Sequence, residues 1–212
     1  MSVTFAKGFS AAGVAAGISS VEGKKDLALV VNQGPLDSAA GVFTFNRFCA
    51  APVQWSRKTV ADGHIKAVIL NSGGANACTG QAGYEQSAAT AKKVAELVGT
   101  QPDEIAVCST GLIGELPLDH VLSGVESAYA ALSDDDQAGS DASHAIMTTD
   151  TKPKTVSLEG DGYRIGGMVK GSGMIAPQLA TMLCVITTDA AVGAGQLQAA
   201  LNAAVDHSFN RI

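Results

Sequence analysis

The sequence predicts an α/β fold. Short apolar runs rich in Val, Ile and Leu alternate with amphipathic stretches of helical period, in the order strand–loop–helix–strand–loop–helix between residues 64 and 132. Glycine-rich or small-residue loops follow those strands, as tight strand-to-helix passages require. A third observation is bulk composition. Of 212 residues, 46% are hydrophobic and 16% charged, which gives a real core and excludes a disordered chain. The formal net charge of −6 argues against nucleic-acid binding, which needs a basic face.

Taken in order, residues 1–23 are rich in Gly and Ala, with one strand-like start at Val3 to Phe5. Asp26 to Asn32 reads as a fully buried strand, ended by Gly34-Pro35. The segment 36–62 is mixed, with a short helix near Trp55 to Ala61 and Trp55 in a core or interface. His64 to Asn71 is a second strand, and the Gly/Asn/Ala stretch 71–80 leaves it as a loop. Tyr84 to Val98 is a helix, because Tyr84, Ala88, Ala91, Val94, Ala95 and Val98 trace one stripe. A third strand spans Glu104 to Ser109, with Thr110-Gly111 just past its end. Leu116 to Leu132 is a second long helix. Ser133 to Asp136 is an acidic turn that caps a short helix at 137–147. Lys154 to Leu158 and Tyr163 to Val169 are strands joined by the hairpin signal Glu159-Gly-Asp-Gly162. The apolar run Met182 to Ile186 is a further buried strand, and Gln196 to Phe209 a final helix. No internal repeat is visible.

The four cysteines form no C-x-x-C pair, so they read as reduced, mostly buried thiols of a cytosolic protein. His64, His120, His144 and His207 are scattered without ligand spacing and read as surface or capping residues. No metal is expected. The N-terminus lacks the pattern of a signal peptide, and no apolar run is long enough for a membrane span.

The stretch from Gly166 to Ile186 carries the chemistry. A glycine-rich loop bearing Lys170 runs through Pro177 to Ala180-Thr181, where the apolar strand begins. Thr181 is an ordinary β-branched residue at a strand entry on one reading. Gly171-Ser-Gly-Met-Ile-Ala176 also fits G-x-G-x-x-G/A, although Pro177 leaves too little room for a crossover helix. The third reading is a self-processing nucleophile. Thr181 attacks the carbonyl of Ala180, the chain breaks, and the new α-amine serves as base for the same hydroxyl. Likewise Ser109-Thr110-Gly111 is either a plain strand-to-helix turn or part of a site. Lys170 is either a solvated lysine or a substrate contact. Thr148-Thr-Asp-Thr151 is either a substrate motif or a turn in which Asp150 bonds local backbone.

Lys170-Gly-Ser-Gly-Met-Ile-Ala-Pro-Gln-Leu-Ala-Thr181-Met-Leu resembles the processing site of the bifunctional ornithine acetyltransferase/glutamate N-acetyltransferase family of arginine biosynthesis. Asn71-Ser-Gly-Gly-Ala-Asn-Ala-Cys-Thr79-Gly80, Cys108-Ser-Thr110-Gly111-Leu-Ile-Gly114 and Thr148-Thr-Asp-Thr151 resemble further motifs of that family, and the likeness covers essentially the whole chain. Gly74 departs from it, standing where many relatives carry Asn. The resemblance implies a layered αββα-type sandwich, truncated at its C-terminus. Residues 1–180 would form an α-chain region, and residues 181–212 the start of a β-chain region. It implies acetyl transfer from N2-acetyl-L-ornithine to L-glutamate through an acetyl-Thr181 intermediate, after autocatalytic cleavage between Ala180 and Thr181. Thr110 and Gly111 would form the oxyanion hole, facing Thr181, itself placed at the start of a central strand. Thr148, Lys170 and Thr181 would bind substrate. No coenzyme is implied, with acetyl-CoA left open as a second acetyl donor. The implied partner is the protein's own C-terminal chain, in a heterotetramer of two α and two β chains, in the cytoplasm. The unpunctuated end at Ser208 to Ile212 suggests a fragment that lacks part of the site. A self-processing threonine amidase of related fold, or an inactive fragment, remains the alternative.

Overall fold

The computed structural model describes residues 1–114, 116–173 and 181–211. Four strands form the first sheet: β1 (Phe9–Val14), β2 (Leu27–Asn32), β3 (Ala67–Asn71) and β4 (Ile105–Ser109), in that spatial order. β1–β2 and β2–β3 are antiparallel, whereas β3 and β4 run parallel. Between them lie α1 (Ala51–Thr59), which follows β2, and α2 (Gly80–Val98), the crossover from β3 to β4. Then come α3 (Leu118–Ala130) and α4 (Asp136–Ala145). A second, three-stranded antiparallel sheet follows: β5 (Lys154–Glu159), β6 (Arg164–Lys170) and β7 (Leu183–Thr188), with β6 in the middle. The last helix is α5 (Ala194–Asp206).

β2 explains the layering. Leu27, Leu29 and Val31 point to one face and join Ile69, Val94, Ile105, Val121 and Val125, the core under α2 and α3. Ala28 and Val30 point to the other face and join Leu70, Ala142, Ile146 and Met168, the core shared with α4 and the second sheet. A strand covered on both faces reads as a continuous apolar run, which is why this one was legible. The predicted α/β layering is therefore present, with helices, first sheet and second sheet stacked in turn. The outer face of the second sheet carries Val156, Leu158 and Ile186, each more than half exposed.

The outer edge of β4 is occupied by α1. Ser56 Oγ donates to Val107 O (2.6 Å) and accepts from Val107 N–H (2.8 Å), and Trp55 Nε1 donates to Ile105 O (2.9 Å). These bonds cover a strand edge that would otherwise pair with another chain.

Several expectations need correction. Val3 to Phe5 is a turn, and the first strand is Phe9–Val14. Its small residues let α4 approach closely: a Cβ on Gly13 would stand 2.1 Å from Asp141 O. The helix placed at Trp55 to Ala61 starts earlier, at Ala51, helped by Pro52 in its first turn. β7 is only half-buried, because a single face of it packs inward, and it is an edge strand rather than a central one. The predicted apolar face of the final helix is mostly open, with Val205 its buried residue. The cysteines are less buried than expected: Cys78 is exposed, and Cys49, Cys108 and Cys184 are half-buried. The acidic turn does cap α4, as Asp135 accepts Ala138 N–H at 2.7 Å.

Candidate active site

Because β3 and β4 are parallel neighbours, their carboxyl ends lie side by side and release two loops from one edge of the sheet. The loops 72–77 and 110–114 are stitched together by backbone. Thr110 N–H donates to Asn71 O (3.0 Å), Ala75 N–H to Leu112 O (2.7 Å) and Leu112 N–H to Gly73 O (3.4 Å). The Asn71 side chain donates to Gly74 O (2.9 Å), closing the first loop on itself. Gly111 is required at the crossing. Its φ of +134° is a glycine conformation, and a Cβ there would stand 2.5 Å from the Gly73 carbonyl carbon. Among the described residues the Gly111 N–H meets no acceptor.

Below this crossing lies Asp26, fully buried at the start of β2. Its carboxylate accepts the N–H groups of Ala16 and Ser19, each at 2.7 Å, and its carbonyl accepts Ser72 N–H at 2.8 Å. Gly73 packs directly on Ser19, where a Cβ would stand 2.8 Å from the Ser19 nitrogen. Asp26 thus fixes the floor on which the two loops rest. Sequence reading passed over it. The available signal was a lone acid opening an apolar strand.

The second sheet delivers the cation. Lys170, the last residue of β6, points inward and is 5% exposed. Its Nζ donates to Thr110 Oγ1 at 3.2 Å and to Thr181 O at 3.3 Å. One ammonium therefore joins residues 110, 170 and 181, from different parts of the chain. Among the described residues Lys170 forms no ion pair. Burial holds its pKa below the usual lysine value, the carboxylate of Asp150 pulls it back upward, and the charges of Lys154 and Lys24 push it down. Asp150 is itself buried. It accepts Gly171 N–H (2.9 Å), Thr148 N–H (3.4 Å) and the Lys154 ammonium. Burial alone would raise its pKa, but the bonds from Lys154, Gly171 and Thr148 together hold it below the usual carboxylate range.

Thr148 stands at the rim, half-buried, tied through its N–H to Asp150. Thr181 is half-buried, two residues before β7. Ala180 and the proline-started turn before it lie outside the described residues. The Asp150 bond to Gly171 spans 21 residues and could not be read from the turn motif alone. Among the described residues no group of His, Cys, Asp and Glu could hold a metal ion, and no helix is long and apolar enough to cross a membrane. Cys108 and Cys184 are free thiols whose burial pushes their pKa up to about 12 and about 11. They are poor thiolates at neutral pH.

This geometry can bind an acyl group. Thr110 Oγ1 already accepts from Lys170, which leaves its own hydrogen to donate, next to an unpaired Gly111 N–H. A hydroxyl able to donate at a strand end, beside a buried cation that also touches the Thr181 carbonyl, is chemistry suited to a developing oxyanion or a carboxylate.

The ArgJ family profile matches residues 10–212. The chain is 79% identical over 214 residues to the arginine biosynthesis bifunctional protein ArgJ of Bifidobacterium longum, covering 100% of this chain and 55% of that protein. It is 56% identical to the ArgJ protein of Streptomyces coelicolor, again over 55% of the relative. The chain thus spans about half the length of the curated relatives it matches. Among solved structures it is similar to the ornithine acetyltransferase of Mycobacterium tuberculosis complexed with ornithine. There the TM-score is 0.81 at 52% identity, covering 84% of this chain and 96% of that one. The Bacillus halodurans ArgJ structure matches with TM-score 0.69 at 31% identity, covering 89% of this chain and 88% of that one.

Proposed function

The chain belongs to the ArgJ family, and on that premise we propose that it carries the nucleophile and oxyanion hole of an acetyltransferase of arginine biosynthesis. The reaction moves an acetyl group from N2-acetyl-L-ornithine to L-glutamate. The observation that carries this reading is the Lys170 ammonium held between Thr110 Oγ1 and Thr181 O.

In the proposed sequence the chain first processes itself. Thr181 Oγ attacks the Ala180 carbonyl, the peptide C–N bond gives way to an ester, and water releases Ala180 as a carboxylate. The freed Thr181 α-amine titrates near ~8 in ordinary surroundings and takes the proton of its own hydroxyl. The hydroxyl oxygen then attacks the acetyl carbonyl of N-acetylornithine. Thr110 O–H and Gly111 N–H stabilise the oxyanion, each donor contributing about 3–4 kcal/mol at the transition state. The ornithine amine leaves with the proton, and the acetyl group stays on Thr181 as an ester. The glutamate amine attacks that ester by the reverse path. Lys170 and Thr148 hold the substrate carboxylate and backbone, Lys170 as a point charge. No coenzyme enters this cycle; acetyl-CoA would feed the same acetyl-Thr181 ester. The assembly is two α and two β chains, cytoplasmic, with the C-terminal chain completing the site.

The test is made on the full-length protein expressed without added protease. N-terminal sequencing should find a chain beginning at Thr181. Intact mass after brief exposure to N-acetylornithine alone should find one acetyl group on that chain, discharged by glutamate. An uncut chain with full transfer activity, or hydrolysis of the acetyl group without transfer, overturns the proposal.

A further inference from the structure

Among the described residues, Asp150 is the one buried carboxylate that touches both the Thr148 turn and the backbone just after Lys170. Its Oδ1 receives Gly171 N–H and the Lys154 ammonium, and its Oδ2 receives Thr148 N–H. Gly171 takes a φ of +152°, a conformation that favours glycine, at the point where Asp150 grips the backbone. The neighbouring Lys24 ammonium donates to Met147 O at 2.8 Å, which anchors the start of the Thr148 turn from the other side. The turn, β5 and the end of β6 thereby share one anchor.

We propose that Asp150 is the positioning residue of this site, a buried clasp that fixes the Lys170–Gly171 backbone and so aims the Lys170 ammonium between Thr110 and Thr181. This rests on the proposed function only for its effect on turnover; the clasp itself is a property of the fold. Side-chain length makes the clasp necessary. A lysine has four rotatable bonds, and its aim is set by where its Cα is held. Asp150 acts a second way. The charges facing Lys170 are Asp150, Lys154 and Lys24, and of these Asp150 alone favours the ammonium form. Lys154 is drawn onto Asp150 rather than left to face Lys170 unscreened. Asp150 therefore keeps Lys170 both placed and charged, ready for a substrate carboxylate, without touching substrate itself.

Two variants of the full-length protein separate these roles. Asp150→Asn is isosteric and keeps an acceptor for Gly171 N–H while removing the charge. Asp150→Ala removes both. With ¹³C-labelled lysine, assigned through Lys170→Arg, the Lys170 titration should move to lower pH in Asp150→Asn. In Asp150→Ala, deuterium exchange of the segment holding Gly171 should quicken by about 10-fold or more. Acetyl transfer should fall by roughly 10²-fold, the cost of a displacement near 1 Å at a catalytic group. The KM for N-acetylornithine should rise, and the alkaline limb of kcat/KM should shift to lower pH in Asp150→Asn. A merely structural role would lower thermal stability and leave the Lys170 titration and that limb in place. Unchanged titration in Asp150→Asn together with unchanged Gly171 exchange in Asp150→Ala overturns the proposal, whatever the enzyme acetylates. Both shifts in a protein that transfers no acetyl group would uphold the clasp and sink the functional reading alone.

Discussion

The two sheets build the two halves of the site by different means. The first sheet uses backbone. Loops 72–77 and 110–114 are crossed by main-chain hydrogen bonds, and Gly111 lies against Gly73 with no room for a methyl group. The polar groups of the two loops are backbone amides and uncharged side chains, resting on the Asp26 carboxylate, which accepts two N–H groups beneath them. The second sheet uses charge. Lys170, Asp150 and Lys154 are long or ionised side chains whose placement depends on one another. A backbone half has one geometry and tolerates no added atoms. A charged half tolerates changes of shape but answers to pH.

The largest expected effect removes what the halves enclose. Thr181→Ala should abolish both the Ala180–Thr181 cut and acetyl transfer, whereas Thr181→Ser should keep some of each. Intact mass and a glutamate acceptor assay check this. Residual transfer in Thr181→Ala would mean that the two halves serve a different nucleophile.

Next comes the backbone half. Gly111→Ala must move a loop that has nowhere to go, so turnover should fall by about 10²–10³-fold, the range for losing an oxyanion donor. Stability should fall by about 1–3 kcal/mol, the cost of holding a strained residue. The loss should be the same across the pH range, since no titrating group is touched. Loss confined to one arm of the pH profile would break the contrast between the halves.

The charged half should show the opposite trade. Burial lowers the pKa of Lys170 in the folded protein, so between that value and the ordinary lysine pKa the unfolded chain holds more protons. The cost of burying the charge is present at neutral pH and is relieved as pH rises through the lowered pKa. Lys170→Met should therefore raise the midpoint of thermal unfolding at pH 7 by about 2–4 °C per kcal/mol relieved, while weakening N-acetylornithine binding. The gain should shrink as pH rises. A variant destabilised at neutral pH would show that the hydrogen bonds to Thr110 and Thr181 outweigh the buried charge.

The smallest effect concerns thiols. At pH 7.5 iodoacetamide should modify exposed Cys78 well before Cys108, whose burial suppresses the thiolate. Peptide mapping against time checks the order. Early labelling of Cys108 would mean that the core beneath the backbone half opens readily.

Much of the backbone half was legible in the sequence. Apolar runs ending in Asn71 and Ser109 place two loops at strand ends, and glycine at 111 announces a special conformation. The charged half was legible only through family motifs. Lys170 reads alone as a surface lysine, and its burial follows from packing of β6 against the first sheet. β1 was missed because Phe-Ser-Ala-Ala-Gly-Val has little strand propensity. Its small residues answer to α4, more than 100 residues later, which no local pattern encodes. The same holds for Asp150 and Gly171, whose bond is a tertiary one.

The crossing of loops 72–77 and 110–114 has a temporal meaning. α2 is the crossover between β3 and β4, and Lys170 reaches Thr110 across 60 residues of chain. Pairings of such long range form slowly, late in folding. Under the proposed reaction, a half-folded chain has no oxyanion hole and cannot cut itself. Scission is then a clock stopped by the last long-range contact, and the fraction of severed chains in a refolding time course counts the molecules that have finished.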